Sequence, residues 1–381
     1  MTFHGKMCSL LHDNARTAQA PSSARIAQVP DIAPEYVVFQ GGFRDSPEWG
    51  SAAVLIPSWL ASWYGTLAPV KQSFATAQNY VDYLLSRRNA TTGLLDYGLG
   101  DWESLTPTPL GVTATAILVQ DLQAMTSMAE RLGLESAASN YSRLAAAVAN
   151  AYTDNFWNGS AYPTQTAAGM ALTLNITPTA SIQQVRAALV ADVVARGNVT
   201  TGADIGNRYI IQALAEAEGG TDALWSSLLR TTSPGYGFAV ASNETALPET
   251  WDDSASDSHI HAMLGHIDEY FYSHVAGLRQ AVDDVGWRRI LIRPRPTVGL
   301  AWLNCSFEAP SGQIAIFWEL RVPQIVAPNK GGADQWDFEL YVTIPVGSTA
   351  GVTLPIEDVG TVEVVGTGRP RLLRASGRLL K

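Results

Sequence analysis

The chain has 381 residues, of which 46% are hydrophobic and 16% charged, and its net charge is −10. Such a length suits one large domain plus one small one, and the composition supplies ample core and excludes general disorder. The acidic balance, without a sustained run of Lys or Arg, argues against nucleic acid as a partner, and the longest apolar runs, such as residues 52–57, are too short to span a bilayer.

Residues 1–29 are polar and Ser/Ala-rich without a sustained period, and they read as a poorly ordered or non-native leader. From Pro30 the character changes to amphipathic helices. Residues 76–88 set Ala77, Tyr80, Leu84 and Leu85 on one face. The next helix aligns Ala114, Ile117, Leu118, Leu122, Met125, Ala129 and Leu132, and Gly133 closes it. Residues 135–150 follow, then a stripe of Ile182, Val185, Leu189 and Val193 ended by Gly197. Residues 205–218 and 221–229 flank Gly219-Gly220. A last helix is predicted to begin at Ser258 as N-cap, to carry Met263, Leu264, Ile267, Phe271 and Val275 on one side, and to stop at Gly277.

After Gly286 the period becomes two. Residues 287–293, 301–307, 313–319, 338–344 and 362–365 read as short strands between Pro- and Gly-bearing turns, which predicts an antiparallel β-sandwich. The expected organisation is a leader over 1–29, a helical domain over 30–282 and the sandwich over 283–381.

Three loops carry candidate chemistry. They are residues 42–50 (GFRDSPEWG), 98–103 (GLGDWE) and 248–253 (PETWDD), the last followed by Ser258-His-Ile-His. Each pairs a carboxylate with a tryptophan. An indole face covers the apolar C–H face of a sugar, and Asp, Glu or His meets its hydroxyls. Hydrolysis of a glycosidic bond also needs two carboxyl groups in different protonation states. One Trp–Asp pair alone is most simply a half-buried residue beside a polar loop. Three of them, each in a Gly- or Pro-marked loop, point to a carbohydrate site built from Trp49, Asp101, Trp102, Glu249, Trp251 and His261. His261 reads equally as a sugar ligand or a structural cap.

His259 and His261 have no third ligand nearby, so no metal is expected. No nucleotide-binding loop appears, and no cofactor is expected. The two cysteines, Cys8 and Cys305, give neither a disulfide framework nor a zinc spacing. Seven Asn-x-Ser/Thr triplets, at Asn89, Asn140, Asn158, Asn175, Asn198, Asn243 and Asn304, point to a secreted glycoprotein, although residues 1–25 hold no signal-peptide pattern.

Taken together these loops resemble glycoside hydrolase family 78, the α-L-rhamnosidases. The likeness runs from about residue 30 to residue 355 through PDIAPEYVVFQGGFRDSPEWGSA (30–52), GLGDW (98–102), TTGADIGNRYIIQALAEAEGG (200–220), PETWDD (248–253), SHIHAMLG (258–265) and GWRRILIRPRP (286–296). The resemblance implies an (α/α)6 barrel followed by a β-sandwich. It implies hydrolysis of terminal α-L-rhamnosyl residues with inversion, so the expected partner is a rhamnose-containing glycoside. It puts the water-activating base on Glu249, a sugar contact on His261 and pocket walls on Trp49 and Trp102. Ile260 stands where the family pattern has asparagine, which puts the hydrogen bonding of that turn in question.

The family's general acid lies in a D-x-x-x-R-E-x-x-G-W stretch upstream of the segment that begins here at Pro30. Residues 1–29 hold Asp13 as their only carboxylate, with no Gly-Trp after it. The barrel is therefore expected to be incomplete at its N-terminus, as in a truncated product or a degenerate relative. Two alternatives to a competent glycosidase follow. One is a carbohydrate-binding relative without turnover. The other is a helical-barrel glycosidase whose acid has moved to Asp45, Glu48, Asp101 or Glu103.

Overall fold

The computed structural model describes residues 28–32, 34, 45–251, 258–297, 299–321 and 336–380. Most of the expected leader, residues 42–44 of the first loop, and Asp252 and Asp253 of the third lie outside the described residues. Gln28, at the leader's end, donates to the Tyr83 hydroxyl at 3.1 Å, and Val29 packs on the core.

Helices fall into two layers according to how much of their circumference is apolar. The inner helices are α2 (Ala52–Tyr64), α4 (Leu110–Arg131), α6 (Gln165–Thr173) and α8 (Gly206–Ala215). In α4 every residue from Gly111 to Val119 is buried, and α6 and α8 are buried over most of their length. Small residues make that possible. A Cβ on Gly169 of α6 would come within 2.8 Å of the Ile210 nitrogen of α8, so these two helices touch backbone to backbone. The outer helices α3 (Ala68–Ser86), α5 (Glu135–Phe156) and α7 (Ile182–Ala195) bury one stripe each. In α3 the stripe is Val70, Ala77, Tyr80, Val81 and Leu84, and in α5 it is Ala138, Tyr141, Ala145, Val148 and Tyr152. Two shorter helices follow, α9 (Gly220–Leu228) and α10 (Tyr236–Ala241), and a four-residue helix α1 (Pro47–Gly50) precedes α2. Inner helices contact one another in the order α2, α4, α6, α8, and the segment 263–275 continues the series against α8.

That segment corrects the expected start of the last helix. It comprises a 3-10 turn (Met263–His266), the helix α11 (Ile267–Tyr270) and a π turn (Phe271–Val275). Ser258 is not its N-cap. The Ser258 amide and carbonyl are bonded to Glu249 instead, so the chain stays extended for a further turn. Gly277 ends the segment at φ 77°, as predicted.

Among the described residues two four-stranded sheets form the sandwich. One has the order β1-β2-β6-β7, with β1 (Leu278–Gln280), β2 (Arg289–Ile292), β6 (Thr349–Thr353) and β7 (Thr361–Val365). The other has the order β3-β4-β5-β8, with β3 (Trp302–Ala309), β4 (Gly312–Arg321), β5 (Trp336–Thr343) and β8 (Pro370–Gly377). The second is antiparallel throughout. In the first, β2 and β6 run parallel, which a local reading of period-two runs does not predict.

The sandwich is bolted to the helices. Trp318, fully buried, donates its indole N–H to the Val275 carbonyl at 3.0 Å. Glu216, beyond the end of α8, meets Arg279 at 2.8 Å, Arg295 at 2.9 Å and His274 at 3.1 Å. Burial works to raise the Glu216 carboxyl, but His274 and the two guanidinium groups hold it well below the usual carboxylate range. A cavity of about 900 Å³ lies beside this network, lined by Trp63, Arg208, Gln212, Glu269, Tyr272 and Phe307, toward the C-terminal ends of the inner helices. No helix among the described residues is long and apolar enough to cross a membrane.

Candidate active site

The loops that carry the predicted residues all lead into inner helices, so they gather at one end of the helical domain. They interlock with one another and with residues 201–206. Glu48, in α1, accepts from the Thr113 hydroxyl at 2.7 Å and from the Gly100 amide at 3.2 Å, which ties the loop of Trp49 to the loop of Trp102. Gly98 sits against this carboxylate at φ 123°, and a side chain there would collide with Glu48 Oε2.

Enclosure makes Glu48 unusual. Its Oε2 is buried without a partner among the described residues, and burial pushes the carboxyl up to about 7 from an ordinary 4.5, against the pull of Thr113 and the nearby amides. A carboxyl raised on folding gives stability that is complete below its unfolded value and is lost as pH climbs through the folded value. Between pH 4.5 and 7 the loss should reach about 3 kcal/mol. Glu48→Gln is expected to flatten that part of the pH–stability curve and to be the more stable protein at pH 8. Urea unfolding of both proteins between pH 4 and 8 checks this, and parallel curves would refute it.

Asp101 is the second tie. One oxygen accepts from the amides of Ala203 (3.2 Å), Ile205 (3.1 Å) and Gly206 (2.8 Å), and the other from the Thr166 hydroxyl at 2.6 Å. The carboxylate thereby caps the first turn of α8 from a distant loop, where the helix N-terminus favours negative charge. Gly206 is required there, because a Cβ would strike Thr166 Oγ1 and Asp101 Oδ2. Two backbone bonds complete the seam, Leu105 N–H to the Thr201 carbonyl at 3.0 Å and Asp204 N–H to the Trp102 carbonyl at 3.2 Å.

The third loop closes on the same segment. The Trp251 indole donates to the Gly202 carbonyl at 3.3 Å and meets Tyr236 edge-on with centroids 5.1 Å apart. Glu249 and Ser258 exchange bonds. The Glu249 amide donates to the Ser258 carbonyl at 2.8 Å, and the Ser258 amide donates to Glu249 Oε2 at 3.1 Å. His261 donates its amide to the Leu247 carbonyl at 2.8 Å, and its Nδ1 accepts from the Met263 amide at 3.2 Å. In a neutral imidazole that acceptance puts the proton on Nε2. The substitution at Ile260 does not open the turn. Its amide donates to Ser258 Oγ at 3.2 Å, and the Ser258 hydroxyl pairs with the Ile260 carbonyl at 3.0 Å. The isoleucine side chain itself is 82% exposed.

The structure thus brings Asp101, Trp102, Glu249, Trp251 and His261 around residues 201–206, with Trp49 one loop away and half-buried. Two of these residues are buried within the cluster. Asp101 and Trp251, expected to touch the sugar, are only 6% and 5% exposed, and their polar atoms are engaged by loop amides and the Thr166 hydroxyl in the one case and by the Gly202 carbonyl in the other. They position the loops from behind. Trp102, Glu249 and His261 are half-buried at the surface of the cluster.

Of the four candidate relocated acids, Asp45 accepts from Tyr83, while Glu48 and Asp101 are enclosed. Glu103 is exposed and adopts φ 59°, a left-handed conformation uncommon outside glycine. His259 and His261 turn to different partners, the first facing Glu244 at 3.1 Å. Among the described residues no group of three His, Cys, Asp or Glu is placed to hold a metal. The residue that sequence reading passed over is Asp204. Its one signal was a carboxylate between glycines just ahead of a helix.

Helical hairpins in two layers, with carboxylates and indoles gathered in the loops at one end and a β-sandwich behind, define the build of a six-hairpin glycosidase. A family model described as the bacterial alpha-L-rhamnosidase six-hairpin glycosidase domain matches residues 3–275, and the corresponding C-terminal domain matches residues 277–329. The chain belongs to the bacterial α-L-rhamnosidase family.

The alpha-L-rhamnosidase of Streptomyces avermitilis is 27% identical over 330 residues, covering 83% of this chain and 30% of that protein. One from Alteromonas sp. (strain LOR) is 23% identical, covering 78% and 35%. Among solved structures, the Streptomyces avermitilis alpha-L-rhamnosidase complexed with L-rhamnose superposes with a TM-score of 0.82 at 22% identity, over 98% of this chain and 36% of that one. The native Aspergillus terreus enzyme gives 0.84 at 22%, over 99% and 44%. The likeness to these structures is one of fold. The chain spans about a third of the length of the curated relatives it matches.

Proposed function

We propose that this chain carries the sugar-binding loops and the water-activating base of an α-L-rhamnosidase that releases terminal non-reducing α-L-rhamnose from rhamnosides with inversion. Glu249 is the base. It takes a proton from water as the water oxygen bonds to the anomeric carbon and the bond to the leaving oxygen breaks. The observation that carries the reading is the exchange of hydrogen bonds between Glu249 and Ser258. It fixes this carboxylate at the mouth of a loop cluster whose other surface groups, Trp102 and the Nε2–H of His261, suit a pyranose face and its hydroxyls. That the Streptomyces relative was solved with L-rhamnose supports the choice of sugar. Hydrolysis of an aryl α-L-rhamnoside by the purified chain, beside its Glu249→Gln variant, is the test. Binding of the sugar without turnover in either protein would assign a carbohydrate-binding role instead.

We also propose that the protein is secreted and N-glycosylated. Six of the seven sequon asparagines, all but Asn198, are exposed. Expression in a eukaryotic secretory host should yield a mass that falls on treatment with an N-glycanase. A mass equal to that of the bare polypeptide would sink the idea.

A further inference from the structure

We propose that Asp204 is a second carboxyl of the sugar site, accepting hydroxyls of the bound rhamnosyl ring beside Glu249 and His261. The proposal deepens the functional reading above and rests on it.

Three observations place Asp204 there. First, the run 201–206 is the keystone of the loop cluster. Asp101 takes the amides of Ala203, Ile205 and Gly206 on one side, and the Trp251 indole takes the Gly202 carbonyl on the other. Asp204 is the exception within the clamped run 203–206. Its amide goes to Trp102. Second, the clamp fixes the backbone on either side of Asp204, so its side chain is presented by a rigid element rather than a free loop. Third, the carboxylate accepts no hydrogen bond from the described residues, although it is half-buried.

A half-buried carboxylate that accepts nothing from the described residues around it is costly to keep. Here the cost is compounded by neighbours of like sign. Burial pushes the carboxyl above the ordinary range, and Asp101, Glu249 and Glu103 push it the same way, against the single counter-pull of His261. A packing role gives no reason for a third and fourth carboxylate in one loop cluster, and alanine or asparagine would fit such a role at lower cost. Hydroxyl donors of a neutral sugar supply what the position lacks, because each hydrogen bond to a charged acceptor recovers lost solvation.

The experiment uses the full chain, with L-rhamnose as the probe and calorimetric titration as the readout, followed by kinetics on an aryl α-L-rhamnoside. Asp204→Ala is expected to raise the Kd for L-rhamnose by about 10- to 100-fold, the worth of one or two hydrogen bonds to a charged group. Asp204→Asn, which keeps one acceptor oxygen, should lose about 3- to 10-fold by the same reasoning. Neither variant should lower Tm, since each relieves repulsion with Glu249 and Glu103. A purely structural Asp204 would instead lower Tm and leave the Kd of the folded fraction unchanged.

Native chain that binds rhamnose, with both variants within twofold of it, overturns the proposal and leaves the functional reading standing. Native chain that binds no rhamnose overturns both.

Discussion

Asp101→Ala is expected to destabilise the protein by on the order of 4–6 kcal/mol, since three amides and a hydroxyl lose their shared acceptor and a small void opens. Each buried N–H left unpaired costs about 1–3 kcal/mol, and the three lie within four residues of one stretch that cannot turn them all toward water. Asp101→Asn separates geometry from charge. Its carbonyl oxygen can still receive the amides of Ala203, Ile205 and Gly206, while its NH2 faces the Thr166 hydroxyl, which accepts as readily as it donates.

Burial raises the Asp101 carboxyl, so the aspartate's contribution is complete at low pH and declines as pH rises through its folded value. The asparagine variant should therefore lose about 1 kcal/mol or less, and least of all in alkaline solution. Denaturant unfolding at pH 5 and pH 8 reads both effects. An alanine variant no less stable than the asparagine one would remove Asp101 from its positioning role. The same titration with L-rhamnose adds a functional arm. Alanine at 101 frees the segment that bears Asp204 and should abolish binding even where the protein remains folded.

Glu249→Gln should lower kcat/KM by about 10²- to 10⁴-fold, equivalent to roughly 3–5 kcal/mol of lost transition-state stabilisation. The amide cannot take the proton of the attacking water, yet its carbonyl can still accept from the Ser258 amide. Tm and the affinity for L-rhamnose should accordingly change little, and the loss should fall on kcat. A variant that keeps kcat would show that the base lies elsewhere. A variant that unfolds would instead show that the bond to Ser258 supports the turn more than the chemistry, and Glu249→Ala compared with Glu249→Gln then separates the two effects through Tm.

Much of this molecule is legible in its sequence because the signals are local. The outer helices α3, α5 and α7 show their stripes since each has one wet face, and Gly133, Gly197 and Gly277 end helices in the left-handed conformation that glycine adopts without strain. Strands β3, β4 and β5 alternate because one face of their sheet is buried. The inner helices α2 and α6 left no such trace. A helix apolar on every side has no period to detect. The strands β1, β6 and β8 were missed, two of them on sheet edges and one paired in parallel with a strand about sixty positions away.

The site divides along the same line. Which residue types could serve a sugar, and that Glu249, Trp102 and His261 stand in loops before helices, was decided by the sequence alone, since loop and helix signals lie within a few residues of each other. Which of them stays at the surface of the cluster and which is buried behind it was decided only by tertiary structure. Asp101 and Trp251 turned inward because distant amides and a carbonyl needed partners in a place without water, and the start of the last helix moved from Ser258 to Met263 because Glu249 claimed the serine's backbone. Asp204 emerged for the converse reason. Contacts about a hundred positions away in sequence immobilise its neighbours and leave its carboxylate without a hydrogen bond from the described residues, and no local pattern records that.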